Sequence, residues 1–199
     1  MMNCLISQRI FSDKHNQIQF SLEKKWINYF KKNIILIPIL TDEKNLKDYF
    51  NYFKPRFVII SGGDNNIFNR NKENLLRKKI DNKIIALCKK KKIPILAVCY
   101  GFQFIAKKYN SKIQSYRNKQ GKEHFIYLKN KKKIKVNSYH NYFVKSLPKE
   151  FKVLAKHQDG SIEIAYSKKS KILCTMFHPE RKNKSKKYIY NLIKKHLNI

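Results

Sequence analysis

Four short apolar runs, Cys4 to Ser7, Ile34 to Leu40, Phe57 to Ile60 and Ile95 to Val98, alternate with amphipathic helical patterns in the first half of the chain. This alternation constrains the fold more than any other feature. The helical stripes are Leu22, Trp26, Tyr29 and Phe30 (with Ser21 as N-cap), then Leu46, Tyr49, Phe50 and Phe53. Leu76, Ile80, Ile84, Leu87 and Cys88 form a third, and Phe102, Ile105, Ala106 and Tyr109 a fourth. Strands without polar alternation are apolar on both faces, which requires a parallel sheet covered on each side. Beyond Tyr109 the pattern turns β-rich: His124 to Leu128, Ile134 to Asn137, Phe151 to His157, Ser161 to Ala165 and Ile172 to Phe177. Asp159-Gly160 supplies a hairpin turn, and Tyr188, Leu192, Ile193 and Leu197 mark a last helix. No repeat or linker divides the chain. The expectation is one α/β domain over residues 1–199, a mostly parallel sheet flanked by helices with a small antiparallel extension.

At 199 residues and 42% hydrophobic, the chain can bury a core, which excludes disorder. No apolar run nears the ~20 residues of a membrane span, and Met1-Met2-Asn3-Cys4 lacks the start of a signal peptide. A soluble, unprocessed cytoplasmic protein without membrane contact is expected. Cys4, Cys88, Cys99 and Cys174 are far apart with no CxxC pair, so no metal site or disulfide framework is expected. Cys88 and Cys174 read as small buried hydrophobes.

The formal charge of +32 points to nucleic acid until its makeup is considered. Of 45 basic residues 39 are Lys, and 26 Ile and 20 Asn accompany only five Gly. Lys, Asn and Ile rise together in AT-rich coding sequence, whereas a surface shaped to grip phosphate or bases favours the planar fork of Arg. The basic clusters Lys89 to Lys92, Lys131 to Lys133 and Lys186-Lys187 are short and scattered. They read as solvated faces, with no specific nucleic-acid partner expected.

Ile95-Leu96-Ala97-Val98-Cys99-Tyr100-Gly101-Phe102-Gln103 puts a cysteine where a buried strand turns into a helix. Such a turn lifts the side chain off the sheet, aims the helix N-terminus at it and offers the next N–H to an oxyanion. Helix dipole and a nearby His would favour the reactive thiolate. Alone, the pattern also fits a buried structural cysteine. Phe177-His178-Pro179-Glu180 adds a candidate base and its carboxylate, since residues two apart share a side in extended chain. Ser61-Gly62-Gly63-Asp64 ends another strand, where paired glycines suit an N–H turned toward substrate or serve an ordinary turn. Gly62, Gly63, Gly101 and Gly160, four of five glycines, fall in these turns, as expected where positive φ or close approach demands them.

Taken together, SGGD (61–64), CYGFQ (99–103), NSYHN (137–141), DGSIE (159–163) and FHPER (177–181) resemble the class I glutamine amidotransferase superfamily, in its order and over nearly the whole chain. They are most similar to its γ-glutamyl hydrolase branch. The resemblance implies a flavodoxin-like fold, no cofactor and no metal, and cleavage of a γ-glutamyl amide through a thioester. It assigns Cys99 as nucleophile, His178 as general base and acid, and Glu180 as its partner. Gly63 and Tyr100 N–H groups would form the oxyanion hole, and Gln103, Ser138, Tyr139 and His140 would hold the glutamyl ends. Departures from the pattern are Ala97 for Gly, Gly-Gly-Asp-Asn for GGND, and Phe177 for Trp; Arg70-Asn71-Lys72-Glu73 resembles the branch's RDxxE with Asn71 for Asp and the Glu one position early.

One member type of this branch hydrolyses γ-glutamyl-CDP-amidate in capsule phosphoramidate biosynthesis, and the resemblance implies that small-molecule, nucleotide-linked substrate. Arg9, Arg70 and Arg181, three of six arginines in a Lys-rich chain, lie beside the catalytic turns or strand ends, where a diphosphate would find bidentate partners. Each also reads as an ion-pair residue, such as Arg70 with Glu73. The rival readings are a glutaminase subunit feeding ammonia to a partner synthase, a γ-glutamyl-GABA-type hydrolase, and a basic nucleic-acid-binding protein on an inert fold. An intact Cys99, His178 and Glu180 argue against the last.

Overall fold

The computed structural model describes residues 1–30, 33–63, 66–115 and 123–199. Its strands are β1 (Met2–Ile6), β2 (Arg9–Ser12), β3 (Ile18–Ser21), β4 (Ile34–Pro38), β5 (Phe57–Ile60), β6 (Ile95–Val98) and β7 (Ile113–Ser115). The second half adds β8 (His124–Leu128), β9 (Lys133–Val136), β10 (Tyr142–Val144), β11 (Lys152–His157), β12 (Ile162–Ser167) and β13 (Ile172–Thr175). The helices are α1 (Leu46–Phe53), α2 (Lys72–Lys91), α3 (Tyr100–Lys108) and α4 (Lys186–Leu197).

Among the described residues, eleven strands form one sheet whose main path runs β4-β1-β5-β6-β13-β12-β11-β8-β9. β4, β1, β5, β6 and β13 pair in parallel, and the rest of the path is antiparallel. Alternation along the apolar strands explains why both faces are covered. Leu5, Val58, Ile60 and Ala97 pack on the face shared with buried residues of α1, α2 and α3. Cys4, Ile6, Ile59 and Val98 pack on the other with Trp26, Tyr29, Phe30 and Ile189, Ile193 and Leu197 of α4. The same second core continues under the extension through Ile126, Leu128, Ile134 and Val136. The mostly parallel sheet with flanking helices and an antiparallel extension is therefore as the sequence predicts.

One local expectation fails and one element has no counterpart in the sequence reading. The stripe Leu22, Trp26, Tyr29, Phe30 does not build a regular helix: only Lys24–Trp26 form a 3₁₀ turn, and Ser21 ends β3 instead of capping. Four aromatic and aliphatic positions at helical spacing also suit a turn that buries Trp26, Tyr29 and Phe30 against one another by edge and stacked ring contacts, with Phe30 edge-on to Phe57. The β2–β3 hairpin forms a separate two-stranded sheet with no signal as clear as the apolar runs, because its side chains are mostly half-buried.

Two close approaches fix the end of the sheet from which Cys99 leaves. A Cβ on Gly101 would lie 2.3 Å from the Ile60 carbonyl oxygen, so only glycine lets α3 sit this near β5. The parallel pairing of β13 with β6 sets Thr175 opposite Val98, and Cys99 N–H continues the ladder by donating to Thr175 O at 2.8 Å. That register brings the residues after both strands to one edge.

Candidate active site

Cys99 stands between β6 and α3 with φ 50° and ψ −102°, a left-handed conformation outside the comfortable regions for a residue with a Cβ. Such strain costs roughly 1–3 kcal/mol and persists only where the surroundings over-determine it. Here the ladder bond to Thr175 holds one side, and Gln103 N–H donating to Cys99 O at 3.0 Å closes the first turn of α3 on the other. The side chain is nearly buried, 5% exposed.

His178 follows β13. Its Nδ1 lies 2.6 Å from Glu180 Oε1, and the ring is near enough to Cys99 to feel it electrostatically. Burial alone would lower the imidazole pKa, but the interactions with Cys99 and with Glu180 outweigh that and raise it to about 9, which favours the cation. Gly62 packs against the ring: a Cβ there would meet His178 Cε1 at 2.4 Å. Gly63 has φ +140° and carries Arg9 Cβ against its α-carbon. Asp64 and Asn65, the end of the SGGD motif and its neighbour, lie outside the described residues.

The NSYHN segment surrounds this centre. Tyr139 presents its ring edge-on to His178 at 5.8 Å, and the Arg181 guanidinium covers the Tyr139 ring at 4.3 Å. Arg181 also pairs with Glu23 at 3.4 Å and lies 4.0 Å from Glu180. Arg9 Nε donates to Ser21 Oγ at 3.1 Å, and Arg9 and Arg181 line one narrow crevice with Gly62, Gly63, His178 and Glu180. Ser138 is buried. Gln103 and His140 converge on one acceptor, the Tyr142 carbonyl, at 3.3 and 3.0 Å. Burial lowers the His140 pKa and keeps the ring neutral, although its other nitrogen lies 4.0 Å from Glu163 of the DGSIE segment.

Arg70 is different. It lies exposed near Lys78, and Glu73 hydrogen-bonds Ser12 rather than Arg70. The structure does not draw Arg70 toward Cys99.

Three supporting features escape sequence reasoning. Asn137 clamps the His178 backbone from both sides, donating to His178 O at 2.8 Å and accepting from His178 N–H at 2.9 Å. Asn183 adds a second donor to His178 O at 2.9 Å. The third is Arg77, 1% exposed inside α2. It donates to Ser61 O at 2.7 Å and Gly62 O at 3.2 Å, covers the Tyr100 ring at 3.8 Å, and pairs with Asp81 at 3.5 Å. Burial pushes the Asp81 carboxyl up to about 6 despite this partner. An Arg and an acid four residues apart, the RDxxE spacing, thus form a buried pair at Arg77 and Asp81, inside the helix that Arg70 precedes. The signal was present: Arg77 is one of six arginines, set in a helix that otherwise uses Lys.

Among the described residues, no group of three or more His, Cys, Asp or Glu is placed to hold a metal, and no helix is long and apolar enough to cross a membrane. A buried thiol on a strained strand-to-helix turn, beside a carboxylate-oriented imidazole, is equipped for nucleophilic attack with proton transfer by that ring.

Comparison with known proteins agrees with this chemistry. The family model "Glutamine amidotransferase class-I" matches residues 11–195. The chain is 31% identical over 188 residues to a gamma-glutamyl-CDP-amidate hydrolase of Campylobacter jejuni, covering 89% of this chain and 90% of that one. It is 40% identical over 106 residues to anthranilate synthase component 2 of Helicobacter pylori, covering 49% of this chain and 54% of that one. The crystal structure of a glutamine amidotransferase from Thermotoga maritima shares the fold with a TM-score of 0.66 at 18% identity, over 99% of this chain and 84% of that one. The chain belongs to the class-I glutamine amidotransferase family and is an amide-hydrolysing enzyme.

Proposed function

We propose that the chain hydrolyses the γ-glutamyl amide bond of γ-glutamyl-CDP-amidate, releasing glutamate and cytidine diphosphoramidate for a surface-polysaccharide pathway. The observation that carries the chemistry is the convergence at one sheet edge of Cys99, its N–H on Thr175 O, with His178, whose Nδ1 lies 2.6 Å from Glu180. The similarity to a hydrolase of that substrate, over nearly the full length of both chains, supports the choice of amide.

In this reading the Cys99 thiolate attacks the γ-carbonyl carbon and the C=O electrons move onto oxygen. The Tyr100 and Gly63 N–H groups stabilise that oxyanion. As the tetrahedral centre collapses the C–N bond breaks, and His178 gives its proton to the leaving nitrogen. Water then attacks the thioester, His178 takes a proton from it, and the thiolate departs with glutamate. Glu180 fixes the ring and stabilises its cation. Gln103, Ser138, Tyr139 and His140 frame the glutamyl group, with Arg9 and Arg181 on the departing side; Arg70 would need to turn inward to join them.

A second reading has its own support. Similarity to anthranilate synthase component 2 and to GMP synthases, such as that of Brachyspira hyodysenteriae at 28% identity, favours a glutaminase that delivers ammonia to a synthase partner. It accounts for only part of each relative, 54% and 26% of their lengths.

Comparison of kcat/KM for glutamine, γ-glutamyl-GABA and γ-glutamyl-CDP-amidate separates these readings. The nucleotide-linked amide should exceed the others by more than about tenfold, roughly 1.4 kcal/mol of transition-state binding. Cys99→Ala should abolish all turnover. Dominant glutaminase activity, raised by a synthase partner, would favour the second reading.

The raised His178 pKa sets the pH dependence. A folded-state value of about 9 against the ordinary 6.5 means that the pair stabilises the fold below about 6.5, a contribution lost as pH rises through about 9. The proton needed by the leaving nitrogen is lost over the same upper range. An alkaline limb in kcat/KM near pH 9 is expected, and Glu180→Gln should move it downward; an unmoved limb would remove Glu180 from this role.

Arg77 bridges both sides of the oxyanion site, through the Ser61 and Gly62 carbonyls and through the Tyr100 ring. Because Arg77→Met alone strands a buried Asp81, the informative variant is Arg77→Met with Asp81→Leu, which removes the pair together. A cooperative melt with kcat reduced at least about tenfold and KM little changed is expected. Unchanged kcat would make the pair purely structural.

A further inference from the structure

Beside the catalytic crevice lies a wider cleft of about 570 Å³ whose walls include Arg9, Phe11, Ser12, Asn69, Asn71 and Glu73. Arg9 belongs to both, so it forms the boundary between the cleft and the crevice that holds Gly63, His178 and Glu180. The cleft is built by β2, the segment before α2 and the first turn of α2. Along β2, Ile10 is buried at 3% while Phe11 turns an aromatic ring outward, 44% exposed, into the cleft. Leaving a ring of that size open costs apolar burial that a neighbouring position recovers in full, and a flat partner would recover it here.

The polar groups give the cleft a direction. Glu73 accepts a hydrogen bond from the Ser12 hydroxyl across the hairpin–helix gap, and that bond holds its carboxyl below the usual range, so it is ionised and only accepts. An anion cannot sit at that end. Asn69 and Asn71 bring amides, able to donate and accept. A phosphate is favoured only at the Arg9 end, adjoining the crevice.

Resting on the γ-glutamyl hydrolase reading, we propose that this cleft is the leaving-group subsite, in which an amino-bearing pyrimidine stacks on Phe11 and donates its exocyclic N–H to Glu73 while its diphosphate crosses Arg9 toward Cys99. The order of groups along the cleft then matches the order of bonds in the substrate: glutamyl at the thiol, phosphates at the guanidinium, base at the hairpin. Glu73 becomes the residue that sets base preference. Cytosine offers an amine where uracil offers a carbonyl oxygen, which would face a carboxylate.

Binding of CDP and of UDP to the full-length protein, measured by calorimetry at physiological salt, tests this. The two nucleotides carry the same charge, so attraction to a chain of charge +32 cancels in their ratio. CDP should bind at least about tenfold tighter than UDP, and Glu73→Gln should bring the two within about twofold, because an amide can serve either base. Phe11→Ala should weaken CDP by about tenfold or more, the loss of one stacking platform. Phe11 is exposed, so its replacement spares the core, and a thermal melt checks this directly. Equal binding of CDP and UDP by the wild-type protein, or CDP affinity untouched by both substitutions, overturns the subsite. Turnover of a simple γ-glutamyl amide by the wild-type protein, measured alongside, keeps the two claims apart. Turnover without base discrimination sinks only the subsite, and absence of any γ-glutamyl hydrolysis sinks the reading beneath it.

Discussion

Everything at the edge that carries Cys99 and His178 depends on the parallel pairing of β6 with β13. Its register sets Val98 opposite Thr175, and the ladder bond from Cys99 N–H to Thr175 O carries it one residue further. Cys99 and His178, far apart in the chain, therefore leave the sheet side by side. A one-residue slip would turn every side chain of a strand to its other face, and the buried sets on both sides of the sheet forbid that. The hydrophobic core thus fixes the geometry of a polar site. Strain at Cys99, close contact of Gly62 with the imidazole and approach of α3 to β5 at Gly101 are all tolerated because that register leaves no alternative.

Much of this was legible in the sequence, for reasons that differ by residue. Strands β5 and β6 announce themselves because four consecutive apolar residues bounded by turn signals have few other uses. Cys99, His178 and Glu180 are readable because their neighbours carry local geometry: the strand-to-helix turn for one, the two-residue spacing for the others. Arg77 was not, since its partners Ser61, Gly62 and Tyr100 are distant in the chain and meet only after folding. The clamp of Asn137 and Asn183 on the His178 backbone is hidden for the same reason. The stripe around Trp26 misled because helical spacing also describes a tight turn that buries its aromatics.

Compositional bias works as a filter at two residue types. Lys54, Lys92, Lys131 and Lys171 all take positive φ, so this chain fills left-handed positions with Lys where glycine is usual. What singles out Gly62 and Gly101 is close approach, to the His178 ring and to the Ile60 carbonyl, where no side chain can substitute. Gly63 adds both demands, with φ +140° and Arg9 packed against it. Arginine behaves alike: Arg77 and Arg181 each serve two or more partners at the site, Arg9 holds Ser21 and packs against Gly63, and Arg70, exposed in its turn, shows that scarcity alone does not place a residue.

In the proposed mechanism Cys99, and no other thiol, carries the glutamyl group between bond cleavage and hydrolysis. Cys4, Cys88 and Cys174 are also free and buried, and burial raises the pKa of each. Rapid acid quenching during turnover of a γ-glutamyl amide, followed by intact-protein and peptide mass analysis, identifies the thiol that carries it. A mass gain of one γ-glutamyl group is expected, lost on mild alkaline treatment and mapped to the peptide containing Cys99. An adduct on another residue, or steady turnover with the Cys99→Ala protein, would contradict the mechanism.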